Sequence, residues 1–147
     1  MTDPYTFLPF EYLDYAVQFH SAFHELKERH PLASWPRYFL LCHSIELALK
    51  AFLLHRGATL DELKDFDLRH NLDKLIDEAV AKGLHLKPET QDAVKVLTDA
   101  HSKFWHRYPK AEGLREFFTI EQFAQTAHEL LNAVSIEVRG VPLGCDG

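Results

Sequence analysis

Cysteine is scarce in this chain, with two residues in 147, and that scarcity excludes a disulfide-framed fold. Cys42 sits in an apolar helical run and Cys145 in a glycine-rich tail, so both are expected as free thiols suited to a reducing compartment. Residues Met1 to Phe10 carry acidic Asp3 and lack the basic segment and apolar stretch of a signal peptide. No window approaches the roughly twenty apolar residues that span a bilayer. The expectation is a cytoplasmic protein that does not cross a membrane. Positive charge is in deficit as well, since 16 Lys and Arg against 22 Asp and Glu leave a formal charge of −6. Such a molecule does not attract nucleic acid as a whole, and any RNA contact must be local.

Several chemistry-bearing motifs are missing. Glycine-rich phosphate loops, Cys-x-x-Cys pairs, His-Glu-x-x-His runs and the Glu-x-x-His step of di-iron bundles do not occur. His20 and His24 are i,i+4 neighbours with Glu28 one turn further, but this step has no closed ligand set. No metal and no cofactor are expected. Strand-like alternation, internal repeats and low-complexity tracts are also missing, which removes β, solenoid and disordered architectures.

What is present is helical. Residues 1–147 read as a single all-α domain, a compact bundle of about five helices ordered over about 10–138, with a flexible tail at 139–147. From about Pro9 to Arg29, Leu13, Ala16, Val17, Phe19, Phe23 and Leu26 form one apolar stripe, and Pro31 stops the helix. Ser34 and Pro36 then signal a new start, and Arg37 to Arg56 is apolar on most of its circumference, which makes it the central helix, closed by Gly57. Thr59-Leu60-Asp61-Glu62 fits a capping box opening a short turn through about Phe66. Further helices are expected over Leu72–Lys82, entered at His70-Asn71 and closed by Gly83, from Pro88 to near His106, and from Thr119-Ile120-Glu121-Gln122 to about Val138.

Two clusters carry candidate chemistry. On the central helix, Glu46 lies about 60° around from His43 and Lys50 about 40° from Glu46, so the three share one side of an apolar rod. Buried charge must be paired, so this strip is either a cleft or an ordinary i,i+4 pair worth a few tenths of a kcal/mol. The second cluster spans residues 101–115, where Lys103, Arg107, Lys110 and Arg115 face Glu112 alone, a local +3 interleaved with Trp105 and Tyr108. Its aromatics either stack a base beside phosphate-binding cations or pack on the core while the cations are solvated or neutralise acids such as Glu46.

The stretch from Leu41-Cys42-His43-Ser44-Ile45-Glu46 through Leu54, then Gly57, His70-Asn71-Leu72-Asp73-Lys74-Leu75 and Arg107-Tyr108-Pro109, resembles the HEPN domains. The resemblance spans roughly residues 10 to 138 and is nearest to the single-domain bacterial branch of unassigned role. It implies a helical bundle, homodimerisation and, in many members, a metal-independent ribonuclease built on Arg-x4–6-His and used in toxin, defence or RNA-processing roles. This chain departs from that pattern, because no His follows Arg107 at the required spacing. Only Arg37 and His43 match it, and six helical residues leave their side chains about 120° apart. In that reading His43 would be the general base toward a 2′-hydroxyl and Arg37 would stabilise the phosphorane.

The preferred expectation is a HEPN-like, dimeric, non-enzymatic module that binds a nucleotide, an RNA or a protein partner, in a defence or toxin–antitoxin setting. Its cleft would gather His43, Glu46, Lys50, His70, Asn71, Arg107 and Tyr108, with Glu46 paired to Arg107. The alternatives are the ribonuclease using Arg37 and His43, and a purely structural dimerisation domain.

Overall fold

Helix-forming runs punctuated by Pro and Gly give the chain its architecture, seen in a computed structural model that describes residues 8–29, 35–65, 71–104 and 120–144, without side chains at 27–29, 35 and 99–104. The helices are α1 (Leu8–Arg29), α2 (Trp35–His55), α3 (Leu60–Leu63), α4 (Leu72–Ala81), α5 (Pro88–Phe104) and α6 (Ile120–Arg139). No strand occurs among the described residues. The all-α expectation is met, with five main helices and the single short turn of α3 among the described residues.

The central role of α2 follows from its composition. Leu41, Cys42, Ile45, Ala48, Leu49, Ala51 and Phe52 are completely buried, spread around most of the helix. A rod with so wide an apolar surface needs neighbours on several sides, and α2 packs against α1, α4, α5 and α6. By length and composition Pro36–His55 would also suffice to cross a membrane, contrary to the expectation from apolar run length. Its burial in the bundle explains the same hydropathy as that of a core helix.

Helix ends are set locally. Gly57 adopts φ 99° and Gly83 φ 104°, a left-handed conformation that a residue with Cβ resists. At each, the two amides after the helix turn back: Gly57 N–H donates to Leu54 and Ala58 N–H to Leu53, while Gly83 N–H donates to Val80 and Leu84 N–H to Ala79. Thr59 caps α3 by accepting from the Glu62 amide at 3.1 Å, and its hydroxyl also donates to the Glu62 carboxylate. Asn71 caps α4, its Oδ1 accepting from the Lys74 amide at 3.2 Å. Asn71→Ala is expected to lower stability by about 1 kcal/mol, read as a shift in urea midpoint at unchanged slope.

The C-terminal end differs from its composition. Residues 140–144 belong to the segment expected as a flexible tail, yet they fold back along α6. The Ser135 hydroxyl donates to the Val141 carbonyl at 2.8 Å, and the Leu143 amide donates to Asn132 Oδ1 at 2.8 Å. Leu143 packs against the core. Glycine content alone suggested fraying, whereas two polar side chains one turn apart on α6 supply partners for this backbone. Cys145 lies outside the described residues.

Candidate functional site

The strip on α2 folds as a closed seam. Glu46 is 1% exposed, and Lys50 Nζ lies 3.1 Å from its Oε2. Around it, Tyr12 of α1 has its phenol pushed above the ordinary value by burial and then by the Glu46 charge. The Cys42 thiol is pushed up by the same two causes in the same order, so this buried cysteine is no nucleophile. The carboxylate therefore sits between α1 and α2, held by a cation from its own helix.

The other expected members of the cleft have separate local roles. His43 is half-buried between two rings, meeting Phe19 edge-on at 4.4 Å between centroids and stacking on Phe39 at 5.6 Å. Asn71 is the cap of α4. His70, Arg107 and Tyr108 lie outside the described residues, as does most of the 101–115 cluster, so the Glu46 to Arg107 pairing falls there too.

Arg37 is completely buried, with its guanidinium carbon 4.9 Å from the centroid of the Phe23 ring. Phe19 and Phe23 are one turn apart on α1, so Arg37 and His43 each lie on a different aromatic of the same helix. Six residues also separate them by about 9 Å along α2. The structure does not bring these two side chains together, and a guanidinium sealed in the core faces no incoming phosphate.

A second polar locus lies where α1 crosses α6, and sequence reading of the motifs missed it. Leu13, Ala16, His20 and Phe23 are all buried, so His20 occupies a core position in the 3–4 spacing of α1. Its ring lies 4.6 Å from that of His24 and 6.0 Å from that of His128 on α6. Burial first, then His24 and His128, push its pKa from 6.5 down to about 4, against the pull of a hydrogen bond to the Ala124 backbone. His20 Nε2 is buried with no hydrogen-bond partner among the described residues.

His20 lines a groove of about 380 Å³ between the two helices, with Ser21, His128, Ser135 and Arg139 around it and residues 141–144 as its rim. Arg139 is held by an ion pair with Asp14 across the helix crossing. Elsewhere on α6, Glu129 accepts from the Thr90 hydroxyl at 2.8 Å and from Gln125, which hold its carboxyl below the usual range. Among the described residues, no three His, Cys, Asp or Glu side chains are placed to hold a metal ion. A second groove, of about 520 Å³, lies between the start of α1 and the α2–α3 turn, lined in part by Leu8, Leu54, Thr59 and Lys64. No family model, no curated protein and no solved structure matches the chain.

Proposed function

We propose that this chain is a HEPN-like helical module that works by association, with a second copy of itself as its first partner, and not by cleaving RNA. The observation that carries this reading is the complete burial of Arg37 against Phe23, with His43 wedged separately between Phe19 and Phe39. Metal-free cleavage needs a base and a cation converging on one phosphate, and each is engaged elsewhere. The closed Glu46–Lys50 seam points the same way, because a salt-bridged strip offers structure where a cleft would offer a ligand site.

The large exposed apolar side chains support self-association. Phe10 and Tyr15 on α1, Ile136 on α6 and Val141 beyond it are each more than one-third exposed. Asp14 pairs with Arg139 and His20 lies by His128, so α1 and α6 run antiparallel, which puts these four residues toward the same end of the two helices. Large apolar side chains left exposed in this way suit a protein interface.

Pure protein incubated with structured RNA, beside His43→Ala, tests the absence of catalysis. No cleavage by either is expected, and cleavage that disappears in the variant would overturn the reading. Sedimentation of parent and Tyr15→Glu tests association, with a dimer expected only for the parent. A monomer at every concentration would refute the self-association.

A further inference from the structure

The central helix keeps one line at the surface. Between Arg37 and Leu53, the α2 side chains that escape burial are Phe39, Leu40, His43, Leu47 and Lys50. With Pro36 and Leu54 at the ends, all but Phe39 fall at alternating steps of four and three residues, a heptad seam. A solvated line on a bundle helix carries polar residues, yet Leu40, Leu47 and Leu54 stand on this one. The spacing is repeated on α1, where Leu8, Tyr12, Tyr15, Phe19, Ala22 and Leu26 follow the same steps and none is buried. Tyr15, at 53%, is the most exposed large apolar side chain among the described residues.

The two lines adjoin and are in register. Leu8 and Leu54 line the same groove at one end, and the Phe19 ring meets that of His43 further along. The helices run antiparallel with equal rise, so each step along α1 is matched by one step back along α2. Tyr15 thereby comes level with Leu47, and Ala22 with Leu40. Together they make one ridged apolar face, two helices wide and about 30 Å long. Its projected area is about 600 Å², larger once its relief is followed, against the roughly 800 Å² that each partner buries in a standard interface. α6 lies elsewhere, for it meets α1 at Asp14 and His20, each about 100° around the helix from its neighbour on the stripe.

Such a face fits a second copy of itself. A two-fold axis parallel to the helices lays α1 of one copy antiparallel on α2 of the other, twice over, and the matched lines keep every step in register. Charge selects this arrangement. From Leu8 to Leu26 the chain has no Lys or Arg, and its exposed side bears Glu11 and Glu25, whereas Lys50 stands on the line of α2. Stacking α1 on α2 brings Glu11 close to the level of Lys50. An antiparallel contact of α1 with α1 would instead bring Glu11 to within about one turn of Glu25. His43 and Lys50 on an otherwise apolar seam then fix the register, as polar residues do in coiled coils.

We infer that the chain pairs with a second copy through the α1–α2 face, Tyr15 of each copy seated beside Leu47 of the other. The inference rests on the self-association reading and decides among its exposed apolar side chains: Tyr15 lies in the contact and Ile136 lies outside it.

Sedimentation of the full chain and its variants tests this, with circular dichroism reporting the fold. Parent and Ile136→Glu are expected to dimerise. Leu47→Glu is expected to weaken association roughly a hundredfold or more, because each copy would bring a carboxylate into the contact. A second readout leaves the face nearly intact. In a Cys145→Ser background, Tyr15→Cys chains mixed with Leu47→Cys chains are expected to be joined by a short bis-maleimide, and neither chain is joined to its own kind. A folded Leu47→Glu chain that still dimerises, a dimer lost in Ile136→Glu, or no mixed cross-link from chains that do dimerise would each overturn this face and leave self-association standing. A parent that stays monomeric at every concentration would overturn both.

Discussion

Lys50→Met is expected to destabilise the protein by about 1–2 kcal/mol, more than the few tenths that an exposed i,i+4 pair contributes. The methionine keeps most of the methylene stem of Lys50, so packing changes little and charge is the variable. What it leaves behind is the Glu46 carboxylate, whose side chain is 2% exposed and lies among Tyr12, Cys42 and the apolar face of α2. A buried charge that loses one cation keeps its desolvation and forfeits part of its Coulombic return. Adding Glu46→Gln removes the carboxylate charge, and the double variant is expected to recover part of the loss. Urea unfolding of the four members of this cycle measures the coupling. A single-variant loss below about 0.5 kcal/mol would mean that Lys50 is not what holds Glu46, and the salt-bridged seam would have to be given up.

Features encoded within one or two helical turns were legible in the sequence. Gly57, Gly83, Thr59 and Asn71 act where their residue types indicate, because caps and left-handed turns depend on neighbours a few positions away. The centrality of α2 was equally legible, since an apolar surface on nearly all sides has only one place in a bundle. The pairing of Glu46 with Lys50 followed from spacing, whereas its burial depended on Tyr12 and the rest of α1. The groove was not legible at all. It joins Asp14 to Arg139 and His20 to His128, pairs more than a hundred positions apart whose meeting depends on how α1 crosses α6. One signal was available, for His20 falls in register with Leu13, Ala16 and Phe23. A titratable residue in the core stripe of an amphipathic helix marks a place where the fold has arranged something unusual. Arg37 was read from its spacing to His43, while its position in the first turn of a core helix, opposite Phe23, is what determines its surroundings.

His20 also makes stability depend on pH. Its pKa is 6.5 when unperturbed and about 4 in the folded chain, lowered by burial and by His24 and His128 facing it from α1 and α6. Between these values the unfolded chain takes up a proton that the folded chain refuses, so stability falls as the pH drops. Above about 6.5 both states are neutral at this site and the effect vanishes; below about 4 both are protonated and the loss is complete, at about 3 kcal/mol. Glu129 acts lower, because its depressed carboxyl contributes stability that disappears only as the pH falls through the carboxylate range. Urea unfolding at intervals from pH 7.5 to pH 4 is therefore expected to show a decline that begins near pH 6.5, before carboxylates titrate. In His20→Leu the early part of that decline is expected to flatten, with the Glu129 contribution intact. An unchanged profile in the variant would place the acid sensitivity elsewhere and remove His20 from the α1–α6 crossing as its cause.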